Sequence, residues 1–298
     1  MGLILNTSTV IRNLSIGPLS GGGNGGGGGS SIPIETSGLQ LFLDAANTTS
    51  YSGTGNTWAD LSGNGNDFTG GVYSGTSTPT FVSDGDASYF QFQESSGTLF
   101  SANSTTPSDY GFGGTPDDLT ISFWANPNSL TSGVFNDNEI WYKFVYDYTR
   151  TDSGTVITGG TAETEFWQMA TAGSNRAQND VFRLNAFDAG RGLDNNWYNV
   201  ASDAGNWTNY TLVSEVDSSN GLTFLLYVDG SATSYTETLS YRTSVTLTSI
   251  SKFLIGGNVA GTSNYMWNGK LANFALYNRA LSASEVLSNY NALSSRFS

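Results

Sequence analysis

Ten short runs of strand-like sequence, separated by turn-forming residues, constrain the fold of this chain more than any other feature. The runs occupy residues 39–44, 88–93, 119–125, 139–147, 165–170, 181–187, 208–217, 222–230, 252–257 and 270–278. Several of them alternate apolar and polar residues, as expected of strands that bury one face. Ten or more strands in one body close into two packed sheets or a barrel. The pattern therefore predicts an all-β fold.

One short helix is predicted near the C-terminus. Ser282 and Glu285 have the spacing of a capping box, in which each side chain bonds the backbone N–H of the other residue. The apolar residues that then recur at helical spacing are Val286, Leu287, Tyr290 and Leu293. We expect these side chains to lie against the body. Asp229-Gly230, further upstream, predicts a tight turn between strands.

A glycine tract divides the chain into an N-terminal arm (1–19), a flexible linker (20–31) and a globular body (32–298). Eight of the nine residues from 21 to 29 are glycine, which brings no side chain to a core. The arm's apolar residues include Leu3, Ile4, Leu5, Val10, Ile11, Leu14 and Ile16. An arm this apolar and too short to fold alone predicts docking onto another protein. The alternative, a strand added to its own body, would not need so loose a spacer.

Composition excludes several classes of function. The formal net charge is −14, which argues against nucleic acid and anionic membranes as partners. The chain has no Cys and no His, so thiolate or imidazole metal sites and His-dependent nucleophiles are excluded. Any metal would need oxygen ligands, which indicates calcium. The first residues lack the basic region of a signal peptide, so we expect no secretion by that route.

Two blocks at the ends of the body resemble a known family. They are GLQLFLDAANTTSYSGTGNTWADLSGNGNDFTGG (38–71) and WNGKLANFALYNRALSASEVLSNYNALSSRF (267–297). Both resemble the opening and closing segments of laminin-G-like, concanavalin-A-type domains of phage and bacterial surface proteins. The resemblance spans roughly 38–297 and implies a two-sheet antiparallel jelly-roll sandwich with one short C-terminal helix. The ending of the second block is similar to that of phage virion proteins.

The loop from Asp60 to Asp67 is a candidate metal site. Related domains bind calcium near such loops, so the resemblance implies oxygen ligands from Asp60, Asn64 and Asp67. The alternative is that Asp60 and Asn64 make Asx-turn hydrogen bonds, because turn chemistry alone explains this composition. The closing strand has Asn273 where many relatives have Asp, which weakens the calcium interpretation. The loop's glycines predict positive φ, and Trp58 is expected at the sandwich rim.

A catalytic interpretation finds little support in the sequence. Glucanases of this fold carry three acids spaced Glu-x-Asp-x-x-Glu on one strand, and that motif does not occur here. The nearest pair is Glu163 and Glu165, with no third acid at the required spacing. We therefore expect the body to be non-catalytic.

A glycan-binding interpretation rests on the aromatic, Asn-rich segment 189–207, which predicts a loop. Asp194, Asn196, Trp197 and Tyr198 are its candidate binding residues, because aromatic rings stack on sugars and amides bond their hydroxyls. The alternative is that the aromatic residues fill the sandwich core.

These observations support one main hypothesis and two alternatives. The main hypothesis is a non-catalytic virion structural protein, assembled in the host cytoplasm. Its arm would hold it to a capsid, fibre or tail protein, and its jelly roll would be displayed on the virion surface, where it would contact a cell-surface glycan. A homo-oligomer is compatible with this hypothesis. The alternatives are a secreted or cell-surface lectin and a glycoside hydrolase or lyase of the same fold.

Overall fold

The computed structural model describes residues 32–93, 97–110, 118–128, 140–152, 155–159, 166–172, 181–188, 191–199, 203–216, 222–239, 245–257 and 267–298. They form seventeen strands, β1 (Leu39–Asp44), β2 (Thr57–Trp58), β3 (Phe68–Gly70), β4 (Thr80–Val82), β5 (Tyr89–Phe92), β6 (Phe100–Ala102), β7 (Leu119–Pro127), β8 (Ile140–Asp152), β9 (Thr155–Gly159), β10 (Phe166–Ala172), β11 (Val181–Asp188), β12 (Arg191–Asn199), β13 (Thr208–Val216), β14 (Leu222–Val228), β15 (Ser231–Leu239), β16 (Val245–Ile255) and β17 (Gly269–Tyr277). A short 3-10 helix (Pro107–Tyr110) lies between β6 and β7, and one α-helix, α1 (Ala283–Ser294), follows the strands. Each of the ten predicted runs overlaps one of these strands. The arm and the linker lie outside the described residues.

The strands form two antiparallel sheets, as the resemblance implied. Sheet A has the order β15-β14-β13-β7-β17-β5-β4, and β1 also pairs with β17. Sheet B has the order β12-β11-β10-β8-β16-β6-β3-β2, and β9 also pairs with β8. Neighbours in these orders are often far apart in sequence, so the closing strand β17 joins the first and the middle parts of the body.

The main core lies between the two sheets. Sheet A contributes Leu41, Phe90, Phe123 and Phe274 to it, and sheet B contributes Phe68, Phe100 and Phe253. Trp58 is also part of this core and is fully buried, with its ring centroid 4.7 Å from that of Phe90 and 5.2 Å from that of Phe100. The expectation that Trp58 lies at the rim is therefore wrong. Pairing of β2 with β3 brings it into the core instead.

A second apolar cluster lies on the outer face of sheet A, the face turned away from sheet B. Phe42, Trp124, Val213 and Tyr277 belong to the sheet, and Val286 and Leu293 of α1 cover them. The capping box of α1 is formed as predicted, with Ser282 accepting from the Glu285 N–H and Glu285 accepting from the Ser282 N–H. Leu287, expected to lie against the body, is 45% exposed. Asn289, two residues further along the helix, is buried.

Backbone geometry confirms the predicted turns. Gly63 and Gly65 have φ values of 91° and 76°, which residues other than glycine rarely adopt. Asp229 and Gly230 have φ values of 49° and 72°, as the central residues of a tight hairpin turn require. No described helix is both long and apolar enough to cross a membrane.

Candidate functional site

Asp60 accepts four of the hydrogen bonds that hold the loop from Asp60 to Asp67, the candidate calcium site. Its Oδ1 accepts hydrogen bonds from the backbone N–H of Phe42 at 2.9 Å and of Ser62 at 2.8 Å. Its Oδ2 accepts from Ser62 Oγ at 2.6 Å and from the Asn66 N–H at 3.0 Å. The bond from the Ser62 N–H to Asp60 Oδ1 is an Asx-turn bond, as the alternative interpretation predicted for Asp60. This part of the alternative is confirmed.

The other two candidate ligands serve the same loop. Asp67 Oδ1 accepts from the Asp60 N–H at 2.8 Å. Asn64 Nδ2 donates to the carbonyl oxygens of Leu39 and Gln40, which anchors the loop to β1. These bonds connect the loop to its own backbone and to β1.

The loop does not fit a calcium ion in this arrangement. An ionised carboxylate has about four acceptor positions, and those of Asp60 are taken by four protein donors. Within the described part of the chain, no group of three or more acidic side chains could hold a metal ion. The position in the closing strand where many relatives have Asp and this chain has Asn can also be placed in the structure. Asn273 lies opposite Asp44, where an Asp would add a second carboxylate.

The candidate glycan-binding residues lie on a strand and not in a loop. Residues 191–199 form β12, the edge strand of sheet B, so the loop prediction is wrong for this part of 189–207. Pairing with β11 through the full strand overrides the low strand propensity of its asparagines. The register shifts between Phe182 and Arg183, which leaves Trp197 as the extra residue of a β-bulge. Bulges concentrate at sheet edges and change the direction of a strand's residues.

The register separates three of the four candidates into two groups, and Trp197 at the bulge has no opposite residue. Asn196 is opposite Arg183 and Asp194 is opposite Asn185, so these two candidates share one face of sheet B. Tyr198 is opposite Phe182, the neighbour of Arg183 in sequence, and therefore belongs to the other face. The four residues thus do not form one set on one face.

A row of polar residues continues from Asp194 across the sheet. Asn185 is opposite Gln168, which is opposite Lys143, which is opposite Leu254. Leu254 packs with Leu99 outside the main core, whereas its neighbours Phe253 and Ile255 are part of that core. The row therefore lies on the outer face of sheet B. With Arg183 and Asn196, its polar members make a set that we call the sheet B polar row: Lys143, Gln168, Arg183, Asn185, Asp194 and Asn196.

Four members of the sheet B polar row were not predicted as site residues. A signal for two of them was present, because VFRLNAF alternates and puts Arg183 and Asn185 on one face. The pairing partners of a strand cannot be read from its own alternation, so the row itself was not visible in the sequence. The pair Glu163 and Glu165, like the arm residues, lies outside the described residues.

On the outer face of sheet A, α1 and the residues after it form an aromatic cluster. The Trp124 ring stacks on Tyr290 at 5.5 Å and on Phe297 at 4.4 Å between centroids. Phe297 contacts Trp207 at 4.9 Å, and Trp207 contacts Tyr89 at 5.6 Å. The cluster thus extends from buried Trp124 to the partly exposed rings of Trp207 and Tyr89.

Two polar contacts fix the C-terminal segment on this face. Arg296 makes a bidentate pair with Asp44, Nη1 to Oδ1 at 3.0 Å and Nη2 to Oδ2 at 2.9 Å, and the Asp44 side chain is only 2% exposed. Arg279 pairs with Glu285 at 2.7 Å, and this guanidinium, with the Ser282 N–H, lowers the pKa of Glu285 to about 2. The helix is therefore held at its start and just after its end.

A buried polar network joins α1 to the first residues of the body. Asn289 Oδ1 accepts from the Glu35 N–H at 2.8 Å, and its Nδ2 donates to Tyr277 Oη at 3.0 Å. Tyr277 Oη in turn donates to the Glu35 carbonyl at 2.9 Å. Burial raises the pKa of the Tyr277 hydroxyl, so this donor stays protonated. The start and the end of the body meet at this network.

A laminin G family model, described as the concanavalin A-like lectin/glucanases superfamily, matches residues 101–287. The match covers more than half of the chain, so the chain belongs to this family. The expected family and fold are thereby confirmed. No curated protein matches the chain.

Solved structures with a similar fold include binding domains of toxins. The binding domain of Paraclostridial Mosquitocidal Protein 1 is 18% identical, with a TM-score of 0.55 over 86% of this chain and 52% of that one. The binding domain of botulinum neurotoxin DC in complex with SialylT is 12% identical, with a TM-score of 0.55 over 87% and 52%. The receptor binding domain of botulinum neurotoxin type G is 15% identical, with a TM-score of 0.51 over 84% and 50%. Such identities show the fold alone, and the chain spans about half the length of these structures.

Proposed function

We propose that the body is a non-catalytic carbohydrate-binding module that recognises a glycan through the sheet B polar row. The observation that carries this proposal is the register that aligns Lys143, Gln168, Asn185 and Asp194 across four strands. Amide, carboxylate and basic groups together donate and accept hydrogen bonds, as sugar hydroxyls require. Trp197, at the bulge of the edge strand, is adjacent in sequence to Asn196 and adds an aromatic residue to the same strand.

The family and the neighbours are consistent with this class of ligand. The family includes lectins by its description, and one structural neighbour was solved in complex with SialylT. That ligand is a property of the neurotoxin domain, and at 12% identity it suggests a ligand class for this chain and no particular sugar.

The absence of catalysis is part of the proposal. The chain has no His and no Cys, and glycoside hydrolysis needs a suitably spaced carboxylate pair. Glu163 and Glu165 are the nearest pair in the sequence. The test is whether the full chain releases reducing sugar from a panel of polysaccharides. Release that is abolished in Glu163→Gln would contradict the proposal and show that the protein is a hydrolase.

We place the module on a virion surface, held by its N-terminal arm. The apolar arm and the glycine tract support an anchor on a flexible linker, and the resemblance to phage virion proteins supports the location. Deletion of residues 1–19 should abolish incorporation into particles while leaving glycan binding intact. Normal incorporation of the truncated protein would contradict the anchor and favour a secreted or cell-surface lectin.

A glycan array probed with the full chain tests the binding module. We expect binding to at least one glycan, lost in the double variant Arg183→Ala/Asn185→Ala and retained in Asn206→Ala, which removes an exposed asparagine in the bend before β13. Addition of EDTA should leave the signal unchanged, because the loop at Asp60 holds no cation in our interpretation. A chain that binds no glycan, or a double variant that binds normally, would contradict the proposal.

A further inference from the structure

The exposed end of the aromatic cluster on sheet A carries three polar groups that make no hydrogen bond or ion pair with the residues whose side chains the structure describes. Tyr89, Trp207 and Lys270 are each partly exposed there. The two rings lie 5.6 Å apart between centroids at 65°, and Lys270 Nζ lies 5.2 Å from the Tyr89 centroid. The three side chains therefore form one continuous surface, which we call the sheet A platform.

Lys270 differs from the two arginines of this region. Arg279 pairs with Glu285 and Arg296 pairs with Asp44. Lys270 pairs with no carboxylate among the residues whose side chains the structure describes, although the chain carries 25 acidic residues and only 11 basic ones. An unpaired ammonium in so acidic a protein is available to an external anion.

The platform offers mainly hydrogen-bond donors. The Trp207 indole N–H and the Lys270 ammonium donate only, and the Tyr89 hydroxyl donates or accepts. None of these three groups bonds to a described residue. Rings that are partly exposed beside them provide the apolar surface on which the C–H face of a sugar ring stacks. Donors with an aromatic surface fit a ligand that combines a sugar ring with a carboxylate.

One amide side chain extends the platform across the strands. Gln91 of β5 lies opposite Lys270 of β17, whereas Asn126, opposite Lys270 on β7, is buried. Gln91 Nε2 donates to the Gly269 carbonyl at 3.0 Å and to the Phe92 carbonyl at 2.9 Å, which fixes the side chain next to Lys270. This arrangement leaves the Oε1 atom of Gln91 as an acceptor for a sugar hydroxyl.

We propose that the sheet A platform, formed by Tyr89, Trp207 and Lys270, binds a carboxylated sugar such as a uronic acid. Its carboxylate would pair with Lys270 and its ring would stack on Trp207. This site is separate from the sheet B polar row, because it lies on the outer face of the other sheet. The chain would then bind glycan at two surfaces, one of them selective for an acidic sugar.

Isothermal titration calorimetry of the full chain with tetragalacturonate tests the proposal, with the fully methyl-esterified tetramer as the neutral comparison. We expect Lys270→Gln to weaken tetragalacturonate binding about tenfold, as loss of one charge-assisted contact does. Lys270→Arg should retain binding, because it keeps the charge. Trp207→Phe, which keeps an aromatic contact to Phe297, should weaken the binding of both ligands.

Two controls separate this site from the proposed function. Arg183→Ala/Asn185→Ala should bind tetragalacturonate normally, since those residues lie on sheet B, and Asn206→Ala should also bind normally. A higher salt concentration should weaken the binding of tetragalacturonate more than the binding of its methyl ester. Equal affinity for the ester, an unaffected Lys270→Gln variant, or no binding by the full chain would each overturn the proposal. A loss of binding confined to the sheet B double variant would overturn it as well.

Discussion

The outer faces of the two sheets are built from different residues. On sheet A the outer positions carry Phe42, Trp124, Val213 and Tyr277, and α1 packs over them. On sheet B the outer row across β8, β10, β11 and β12 carries polar residues instead. An apolar sheet face must be covered, whereas a polar one can face solvent. The difference indicates that α1 covers an apolar part of the outer face of sheet A, whereas the polar row of sheet B needs no such cover.

The sharpest test of the covered face removes Arg296. Arg296→Ala leaves the carboxylate of Asp44 buried without its partner, and we expect the free energy of unfolding to fall by about 3 kcal/mol. Urea denaturation followed by tryptophan fluorescence measures the change. The double variant Asp44→Asn/Arg296→Gln removes both charges and should recover much of the loss. A single variant as stable as the wild type would show that α1 and the end of the chain do not depend on this pair.

The buried network of Asn289 provides the next test. Asn289→Ala leaves the Glu35 N–H without its acceptor, and loss of such a buried bond should cost about 2 kcal/mol of unfolding free energy. Asn291→Ala is the matched control, because Asn291 is exposed on the same helix. Equal unfolding midpoints for the two variants would contradict a structural role for the network.

Several parts of this architecture could be predicted from the sequence, because local rules dominate there. The alternation of LQLFLD predicted β1, and Ser282 with Glu285 predicted the start of α1. The chemistry of Asp60 was also accessible, since the Asx-turn alternative proved correct for its bond to Ser62.

Other parts depend on tertiary pairing and could not be read from local sequence. Residues 191–199 appear loop-like because Asn195 and Asn196 have low strand propensity, yet β11 pairs with them as β12. Trp58 has polar neighbours in sequence, but β3 holds it in the core. Alternation shows that Arg183 and Asn185 share a face, and only the register of four strands shows which residues join them.

A pH-dependent test addresses how α1 begins. Because the folded pKa of Glu285 is about 2, below its ordinary value of 4.5, ionised Glu285 stabilises the folded state above pH 4.5. This stabilisation is lost as the pH falls from 4.5 toward 2. We expect Glu285→Gln to lower the unfolding free energy by about 1 kcal/mol at neutral pH, an amount typical of a partly exposed cap and ion pair.

Unfolding midpoints measured from pH 7 down to pH 2 check this expectation. The difference between wild type and Glu285→Gln should shrink through the window from 4.5 to 2. Glu215→Gln, at an exposed position of β13, is the control for loss of a negative charge. A difference that stays constant with pH would mean that the Arg279 pair contributes nothing to the stability of α1.

The smallest expected change in stability comes from the polar face. If the outer row of sheet B presents its residues to solvent, Arg183→Ala/Asn185→Ala should alter the unfolding free energy by no more than about 0.5 kcal/mol per site. Urea denaturation alongside the Arg296→Ala variant measures both faces on one scale. A loss as large as that of Arg296→Ala would show that the sheet B row is buried against another element. The contrast between an apolar face covered by α1 and a polar face without cover would then no longer hold.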